Sequence, residues 1–289
     1  MDPIRYLGAQ HLLDVVLQQY DSLQKLETSQ QILKFQPVTE DDFNILSDDS
    51  TRPCKSIKFH YHRPTQLLLV KVMPGWEHGQ LASLVKRRIE CQLMAMDVDL
   101  ECLPLCSPLN DLGTWIKEPD LCWVPEVSYR RPTCVVEIGT SESAHHLASS
   151  AHVWLESRNP VQAVITICFK HTCLETDANP LTITVWGPGH RLSNIGTQGR
   201  SCGNLCPVIQ IAHLDVWNNA GSLSVTGSCL NDTQETVSTD EIRLPLELFI
   251  GRQAINPGER DVVITKEMLI HILRKLWVFR QQSRRQAIY

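Results

Sequence analysis

The sequence predicts a mixed α/β fold, a mixed sheet flanked by helices, with an N-terminal helix and a C-terminal extension added to the core. Apolar residues recur at helical spacing in four segments, and continuous apolar runs follow two of those segments. From residue 78 onward the order of elements is helix, three strands, helix, strand. A buried apolar strand that follows a helix is typical of a sheet on which helices pack.

Residues 1–50 are predicted to form one helix and an acidic linker. Apolar residues lie near helical spacing between Leu7 and Leu26. Glu40-Asp41-Asp42 and Ser47-Asp48-Asp49-Ser50 have the polar composition of a loop. We therefore expect the compact part of the chain to begin after residue 50.

The predicted core spans residues 51–190 and opens with a hairpin and a helix. Ser56–His62 and Gln66–Val72 have strand composition and flank the turn Arg63-Pro64-Thr65. The apolar residues of His78–Met96 form one helical stripe. The remaining core elements are a helix capped by Ser141 or Ser143 and, as strands, Val98–Leu103, Leu121–Val124, Thr133–Gly139, Val161–Phe169 and Leu181–Trp186.

The last hundred residues divide into an irregular part and an ordered part. Residues 191–240 are rich in Gly, Ser, Asn and Thr, and we predict an irregular insertion there. A strand is expected from Glu241, and Thr265 can cap a final helix that runs to about Arg280. Residues 241–289 are therefore expected to pack on the core as a strand and a helix.

Composition excludes several classes of protein. The chain has 289 residues, of which 43% are apolar and 20% charged, so wholesale disorder is excluded. A net charge of -5 argues against a uniformly basic protein that coats nucleic acid. Local basic clusters are present, and they could face a phosphate backbone or cover solvated helix faces: Lys86-Arg87-Arg88, Arg130-Arg131, and Arg274, Lys275, Arg280, Arg284 and Arg285.

The cysteines and the N-terminus suggest an intracellular protein. Eleven cysteines are an odd number, several lie in apolar runs, and Met1–Tyr20 has no apolar stretch typical of a signal peptide. No apolar run approaches the ~20 residues that a membrane helix needs. We expect a protein of the cytoplasm or nucleus without structural disulfides, zinc or membrane contact, and the oligomeric state stays open.

Two acids have the spacing of a metal site. Pro119-Asp120 is followed after sixteen residues by Glu137-Ile138-Gly139, at the end of an apolar strand. If the two strands pair, the carboxylates lie side by side, an arrangement that a cation would stabilise. Mg²⁺ would suit these oxygen ligands, with the carbonyl of Ile138 as a third ligand. The alternative is a turn acid and an ordinary salt-bridged acid.

These segments, together with Glu118-Pro119-Asp120 and the 133–139 strand, resemble the PD-(D/E)XK nuclease superfamily. More narrowly they resemble fungal proteins with a restriction endonuclease-like core. The resemblance covers roughly residues 55–190, with a similar tail at 241–277. It implies an αβββαβ core and hydrolysis of phosphodiesters with Mg²⁺ or Mn²⁺ bound by Asp120 and Glu137.

The sequence departs from the superfamily pattern at the third signature position. A lysine is expected two residues after the Glu, and this chain has Gly139 there. His152, on the following helix, is the nearest substitute cation, and we count it as a third catalytic candidate beside Asp120 and Glu137. The resemblance thus implies a weakened or degenerate nuclease, or an inactive relative that acts as a binding or accessory protein.

Other clusters have two interpretations each. His145, His146 and His152 could bind zinc or face solvent, and His60-x-His62 points both rings to one face of a strand. Cys102-x3-Cys106 and Cys202-x3-Cys206 could supply a four-cysteine zinc site or be separate thiols.

Overall fold

The computed structural model describes the chain except for residues 1, 26, 29, 49, 51, 53–56, 74–75, 129–130, 141, 171–177, 189–207, 220–221, 232–234 and 287–289. In the described part, the helices are α1 (Ala9–Gln24), α2 (Glu40–Ser47), α3 (Trp76–Ala95), α4 (Ala144–Leu155), α5 (Glu247–Ile250) and α6 (Lys266–Gln286). The first strands are β1 (Ile4–Arg5), β2 (Ile32–Gln36), β3 (Ile57–His62), β4 (Leu67–Val72), β5 (Cys102–Leu105), β6 (Asn110–Asp111), β7 (Trp115–Lys117) and β8 (Leu121–Pro125). The remaining strands are β9 (Cys134–Gly139), β10 (Ala163–Phe169), β11 (Ala178–Pro188), β12 (Val208–Asn219), β13 (Ser222–Leu230), β14 (Thr236–Ser238), β15 (Glu241–Leu244) and β16 (Val262–Thr265).

The predicted mixed α/β class is confirmed, but the chain divides differently from the predicted boundaries at residues 50 and 190. One compact unit contains 1–76, 107–119 and 157–160, and the other contains 77–106, 120–156 and 161–289. The chain passes from the first unit to the second between Pro119 and Asp120. None of the described helices has both the length and the apolar character needed to cross a bilayer.

The first unit contains a sheet of six described strands in the order β1-β2-β4-β3-β7-β6. Alternate side chains along the strands point into its apolar core, so that Phe59 and Tyr61 of β3 share a face with Val70 of β4. Phe43 of α2 stacks on Tyr61 with ring centroids 4.6 Å apart. This face packs with α1 and α2, through side chains such as Leu12.

The acidic linker predicted at 40–50 is instead mostly helix α2, which is a correction to the sequence analysis. The hydroxyl of Thr39 accepts the main-chain N–H of Asp42 at 3.1 Å and caps the helix. Glu40, Asp41 and Asp42 lie in its first turn, where negative charge favours the positive end of the helix dipole. The same acids that suggested a loop therefore stabilise a helix start.

The opposite face of this sheet carries polar residues that are also buried. Lys58 pairs in register with Lys71, and His60 pairs with Lys117. Nζ of Lys58 donates a 2.8 Å hydrogen bond to the carbonyl oxygen of Pro119. The sheet thus has one apolar face and one buried cationic face.

The second unit contains the predicted αβββαβ core. Helix α3 is followed by β5, β8 and β9, then by α4 and β10, which confirms the predicted order. The described sheet has eight strands in the order β14-β13-β12-β11-β10-β9-β8-β5, with β9 and β10 parallel and the other neighbours antiparallel. It is therefore a mixed sheet, and α4 packs against β9 and β10.

Residues 191–207 of the predicted irregular insertion lie outside the described residues, and the described part from residue 208 is mostly a pair of long antiparallel strands, which is a second correction. Strands β12 and β13 pair from Ala212↔Cys229 to Asn219↔Ser222. Along β12 the apolar residues Ala212, Leu214 and Val216 are buried and alternate with polar neighbours. This period of two was present in the sequence, but the surrounding Gly, Ser and Asn residues concealed it.

The C-terminal segment contains the expected strand and helix. Strand β15 pairs with β16, and the hydroxyl of Thr265 accepts the N–H of Met268 at 3.2 Å at the start of α6. The cap on the final helix was therefore predicted correctly, whereas β16 was not predicted.

Candidate functional site

The two candidate acids lie on neighbouring strands, as predicted. Asp120 directly precedes β8, Glu137 lies within β9, and Leu121 pairs with Val136 in the antiparallel ladder. The N–H of Asp120 donates to the carbonyl oxygen of Val136 at 3.1 Å. Both acids are almost fully buried, with 3% and 2% of their surfaces exposed.

The carboxylate of Asp120 is held by two donors. Its Oδ1 lies 2.9 Å from Nε2 of His78, which is a buried residue in the first turn of α3. Its Oδ2 accepts the main-chain N–H of Ile138 at 2.5 Å. From the sequence, His78 was predicted only to start a helix, and its contact with Asp120 was not predicted.

The carboxylate of Glu137 is held by helix α4. Its Oε1 accepts the indole N–H of Trp154 at 2.6 Å and the hydroxyl of Ser150 at 3.1 Å. Ser150 and Trp154 are four residues apart, so they lie on one face of the helix. Ser143 positions the helix start, because its hydroxyl accepts the N–H of His146.

The acid pair matches the oxygen chemistry of a hard divalent cation. Mg²⁺ commonly takes one or two protein carboxylates and keeps several waters. Side chains that bind metals are usually oriented by further hydrogen bonds, as His78, Ser150 and Trp154 orient these two acids. Within the described residues, no three His, Cys, Asp or Glu side chains are grouped so that they could share an ion. The main-chain group of Ile138 that meets Asp120 is its N–H.

The position of the missing lysine is closely surrounded. A Cβ atom at Gly139 would lie 3.0 Å from Cβ of Glu142, 3.1 Å from Oε2 of Glu142 and 3.1 Å from Cδ1 of Leu147. A carboxylate therefore lies beside the point at which a side chain of residue 139 would begin. The side chain of Glu142 is only 6% exposed, and its Oε1 is 3.1 Å from Nδ1 of His146.

The structure does not bring His152 to the two acids. Its Nδ1 lies 3.0 Å from Oε1 of Glu156, and its ring centroid is 6.3 Å from that of Trp186. Ser150 and Trp154, which hold Glu137, lie two residues to either side of His152, and residues two apart in a helix point in nearly opposite directions. His152 is thus on the partly exposed side of α4.

The cysteines and histidines of the other predicted clusters lie in different environments. Cys102 is buried in β5 and burial raises the pKa of its thiol to about 12, whereas Cys106 is exposed. Cys202 and Cys206 lie outside the described residues. His62 lies 2.7 Å from the hydroxyl of Thr65 through Nδ1.

Positive charges from two basic clusters that are far apart in sequence lower the pKa of one histidine. Partial desolvation lowers the pKa of His271 on α6 below its ordinary value, and the charges of Arg88, Lys275 and Arg274 lower that pKa further. Arg88 belongs to α3, so α3 and α6 together form a basic patch, defined here by Arg88, Arg274 and Lys275. Arg130 and the side chains of Arg284 and Arg285 lie outside the described residues.

Comparison with known proteins finds distant structural similarity among solved structures. No family model matches the chain. No curated protein sequence matches it either. Among solved structures, it is similar to a candidate nuclease of the DUF820 family from Anabaena variabilis, with 15% sequence identity and a TM-score of 0.38 over 54% of this chain and 82% of that chain.

Proposed function

We propose that this protein is a degenerate relative of the divalent-metal nucleases, which binds a cation weakly at Asp120 and Glu137 and cleaves phosphodiesters slowly or not at all. One observation carries the proposal: a glycine closely surrounded by Glu142 and Leu147 stands where a lysine is expected beside two buried acids. The acids favour cation binding, whereas the lost ammonium group disfavours catalysis.

The residues that would hold Mg²⁺ or Mn²⁺ are Asp120 and Glu137, with the carbonyl of Ile138 as a further ligand. A bound ion would supply Lewis-acid stabilisation of a phosphoryl oxygen and a water of lowered pKa. The residues of the chain contribute orientation. His78 and the Ile138 N–H fix the carboxylate of Asp120, and Trp154 and Ser150 fix that of Glu137.

The weak step would be stabilisation of charge on the phosphate. Removal of one preorganised electrostatic group commonly costs about 100- to 1,000-fold in rate. Here the lysine is absent, and Glu142 adds a negative charge at the same position. His152 compensates poorly, because it is paired with Glu156 on the outer side of α4.

A second candidate function is that of an inactive binding or accessory protein. The observation that favours it is the pair of hydrogen bonds from Trp154 and Ser150 to Glu137, which tie α4 to the sheet. In this case the buried acids would stabilise the fold without binding a cation.

Mn²⁺ binding tests the proposed cation site. We expect weak, saturable binding of Mn²⁺ to the full chain, measured by water-proton relaxation or calorimetry. Asp120→Asn and Glu137→Gln should each weaken this binding at least 10-fold, because each removes a negative charge and a ligand that the ion needs.

A matched control is available for the Mn²⁺ measurement. Asp215 is also an aspartate of the second unit that pairs with a histidine, with Oδ2 2.8 Å from Nε2 of His213. Asp215→Asn should leave Mn²⁺ binding unchanged. Equal binding by the wild type, Asp120→Asn and Glu137→Gln would refute the cation site and favour the inactive binding protein.

The basic patch of Arg88, Arg274 and Lys275 is the surface that we propose for nucleic acid. Removal of a basic residue that contacts phosphate weakens binding by a similar amount for every DNA sequence. Each such contact contributes about one unit to the slope of log affinity against log salt concentration, here called the salt slope. Arg274→Glu should therefore weaken binding of mixed-sequence DNA and flatten its dependence on salt. Bound phosphates should also raise the pKa of His271, because they offset the three positive charges that lower it.

Exposed Arg243 on β15 is the control for this prediction. Arg243→Glu changes the net charge of the protein by the same amount, and it should leave the salt slope unchanged. An equal loss of binding in both variants would mean that net charge alone governs the interaction. A pKa of His271 that stays constant in the presence of DNA would also contradict the proposed surface.

A further inference from the structure

A pocket lies on the second unit's sheet, beside the first half of α4. It is formed by residues of β10, β11 and β12 together with α4, and its volume is about 420 Å³. This volume is within the range of pockets that bind small molecules, roughly 300–1,000 Å³. Neither the acid pair nor the basic patch includes the residues that line it.

The pocket contains a histidine whose orientation is fixed by a carboxylate. Oδ1 of Asp215 accepts hydrogen bonds from the amide of Asn179 and the hydroxyl of Thr182, at 2.5 and 2.6 Å. Oδ2 lies 2.8 Å from Nε2 of His213, which must carry the proton in order to donate to a carboxylate. In the neutral ring Nδ1 is then a hydrogen-bond acceptor, and it is buried without a partner among the described residues.

One wall of the pocket is an indole ring held in place at its edge. The N–H of Trp186 donates to the hydroxyl of Thr166 at 2.9 Å, and Thr166 in turn donates to the carbonyl of Thr184. The indole is partly exposed. A fixed, partly exposed aromatic ring is the usual platform on which a base stacks.

The charge of the pocket selects an uncharged ligand. No lysine or arginine occurs among the described residues that line it, and Asp215 gives it a negative charge. A phosphate group inside would therefore be unfavourable. The exposed amide of Gln210 provides hydrogen-bonding groups for the edge of a planar ring, and a ligand reaches Nδ1 of His213 by displacing the side chains that cover it.

We infer that this pocket binds a nucleobase, stacked on Trp186 and hydrogen-bonded by His213. The pocket shares a sheet face with the acid pair, because Glu137 pairs with Thr166, Thr166 with Thr184, and Thr184 with His213. Three strand spacings separate Glu137 from His213, or about 14 Å. The base can belong to a free nucleoside or to single-stranded nucleic acid, and only the second source rests on the proposed function.

Calorimetric titration of the full chain with adenosine, guanosine, cytidine and thymidine tests the inference. EDTA is present throughout, so that failure of the cation site cannot affect the result. We expect saturable binding of at least one nucleoside, with a Kd of about 1 mM or below. Trp186→Leu should weaken this binding about 10-fold or more, which is the loss typical of one stacked base.

Trp217 of β12 is a closely matched control. It is also a partly exposed tryptophan that donates its indole N–H to a threonine hydroxyl, that of Thr226 at 3.1 Å, but it does not line the pocket. Trp217→Leu should leave nucleoside binding unchanged. His213→Phe provides a second test that keeps a ring in place, and it should weaken binding while circular dichroism stays that of the wild type.

The source of the base is distinguished with a short single-stranded oligonucleotide and its abasic counterpart. Tighter binding of the oligonucleotide, lost in the abasic form, would identify single-stranded nucleic acid. Equal affinity of the oligonucleotide and the free nucleoside would identify a nucleoside pocket. Absence of saturable binding by any nucleoside or oligonucleotide, or equal effects of Trp186→Leu and Trp217→Leu, would overturn the inference.

Discussion

Replacement of Arg52 by methionine is expected to lower the free energy of unfolding by about 3–5 kcal/mol, as is typical when one partner of a buried ion pair is removed. Both guanidinium nitrogens Nη1 and Nη2 donate to the carboxylate of Glu118 at 2.8 Å, and the side chain of Glu118 is fully buried. The remaining donor shown for Glu118 is the N–H of Phe59 at 3.1 Å, which cannot neutralise its charge. Urea denaturation of the wild type and Arg52→Met measures the difference.

Arg63 is the control for this prediction in the same unit. It also pairs with a carboxylate, that of Asp111 at 2.7 Å, but the Asp111 side chain is 62% exposed. Arg63→Met should cost about 1 kcal/mol or less, because exposed ion pairs contribute little. The double variant Arg52→Met/Glu118→Leu should recover part of the lost stability, since it removes the unpaired charge. Equal losses for Arg52→Met and Arg63→Met would contradict the account.

The core order was predictable because its strands are continuous apolar runs. Leu121–Val124 and Thr133–Gly139 are buried on both faces, so they are apolar apart from Thr133 and Glu137. Helix α4 was predictable from its serine cap and its apolar stripe. The neighbouring placement of Asp120 and Glu137 followed from these two strands alone.

The hairpin of β3 and β4 was predicted, whereas the other strands of the N-terminal sheet and the β12–β13 pair were not, for the same physical reason. Polar and apolar residues alternate along these strands. The neighbouring segments are rich in acids, serines and glycines, a composition typical of loops. In β2, Leu33 and Phe35 are buried while Lys34 is exposed. Such a short alternating strand is defined by the strands beside it, which the sequence does not reveal.

The hydrogen bonds of the acid pair were also beyond the sequence. His78 and Asp120 are 42 residues apart, and Glu137 and Trp154 are 17 apart. These contacts depend on where α3 and α4 begin relative to the sheet. The position of Glu142 beside Gly139 likewise follows from the turn into α4, and no spacing rule indicates it.

A lysine introduced at residue 139 is expected to increase cleavage, provided that Glu142 is removed as well. Residue 139 is not in the positive-φ region, so its backbone accepts a lysine. In Gly139→Lys alone the new ammonium group would be crowded by Glu142 and neutralised by its carboxylate. Gly139→Lys/Glu142→Gly removes the two close contacts of the new Cβ with Glu142, and Cδ1 of Leu147 must shift by a few tenths of an ångström. We expect the double variant to cleave mixed DNA about 100-fold faster than the wild type in Mn²⁺.

Two controls accompany the double variant. Gly139→Met/Glu142→Gly adds a side chain of similar length without the charge, and it should show no increase. Addition of Asp120→Ala to the double variant should abolish the gained activity. An equal gain from methionine and lysine would show that the missing charge is not what slows the reaction.

The most direct test of the central claim is the rate at which the wild-type protein cleaves mixed single- and double-stranded DNA and RNA in the presence of Mn²⁺, compared with Asp120→Ala and Glu137→Ala. The account predicts that wild-type cleavage is slow or undetectable. Rapid turnover by the wild type that both substitutions abolish would contradict it, because the acid pair would then support catalysis without a lysine at residue 139.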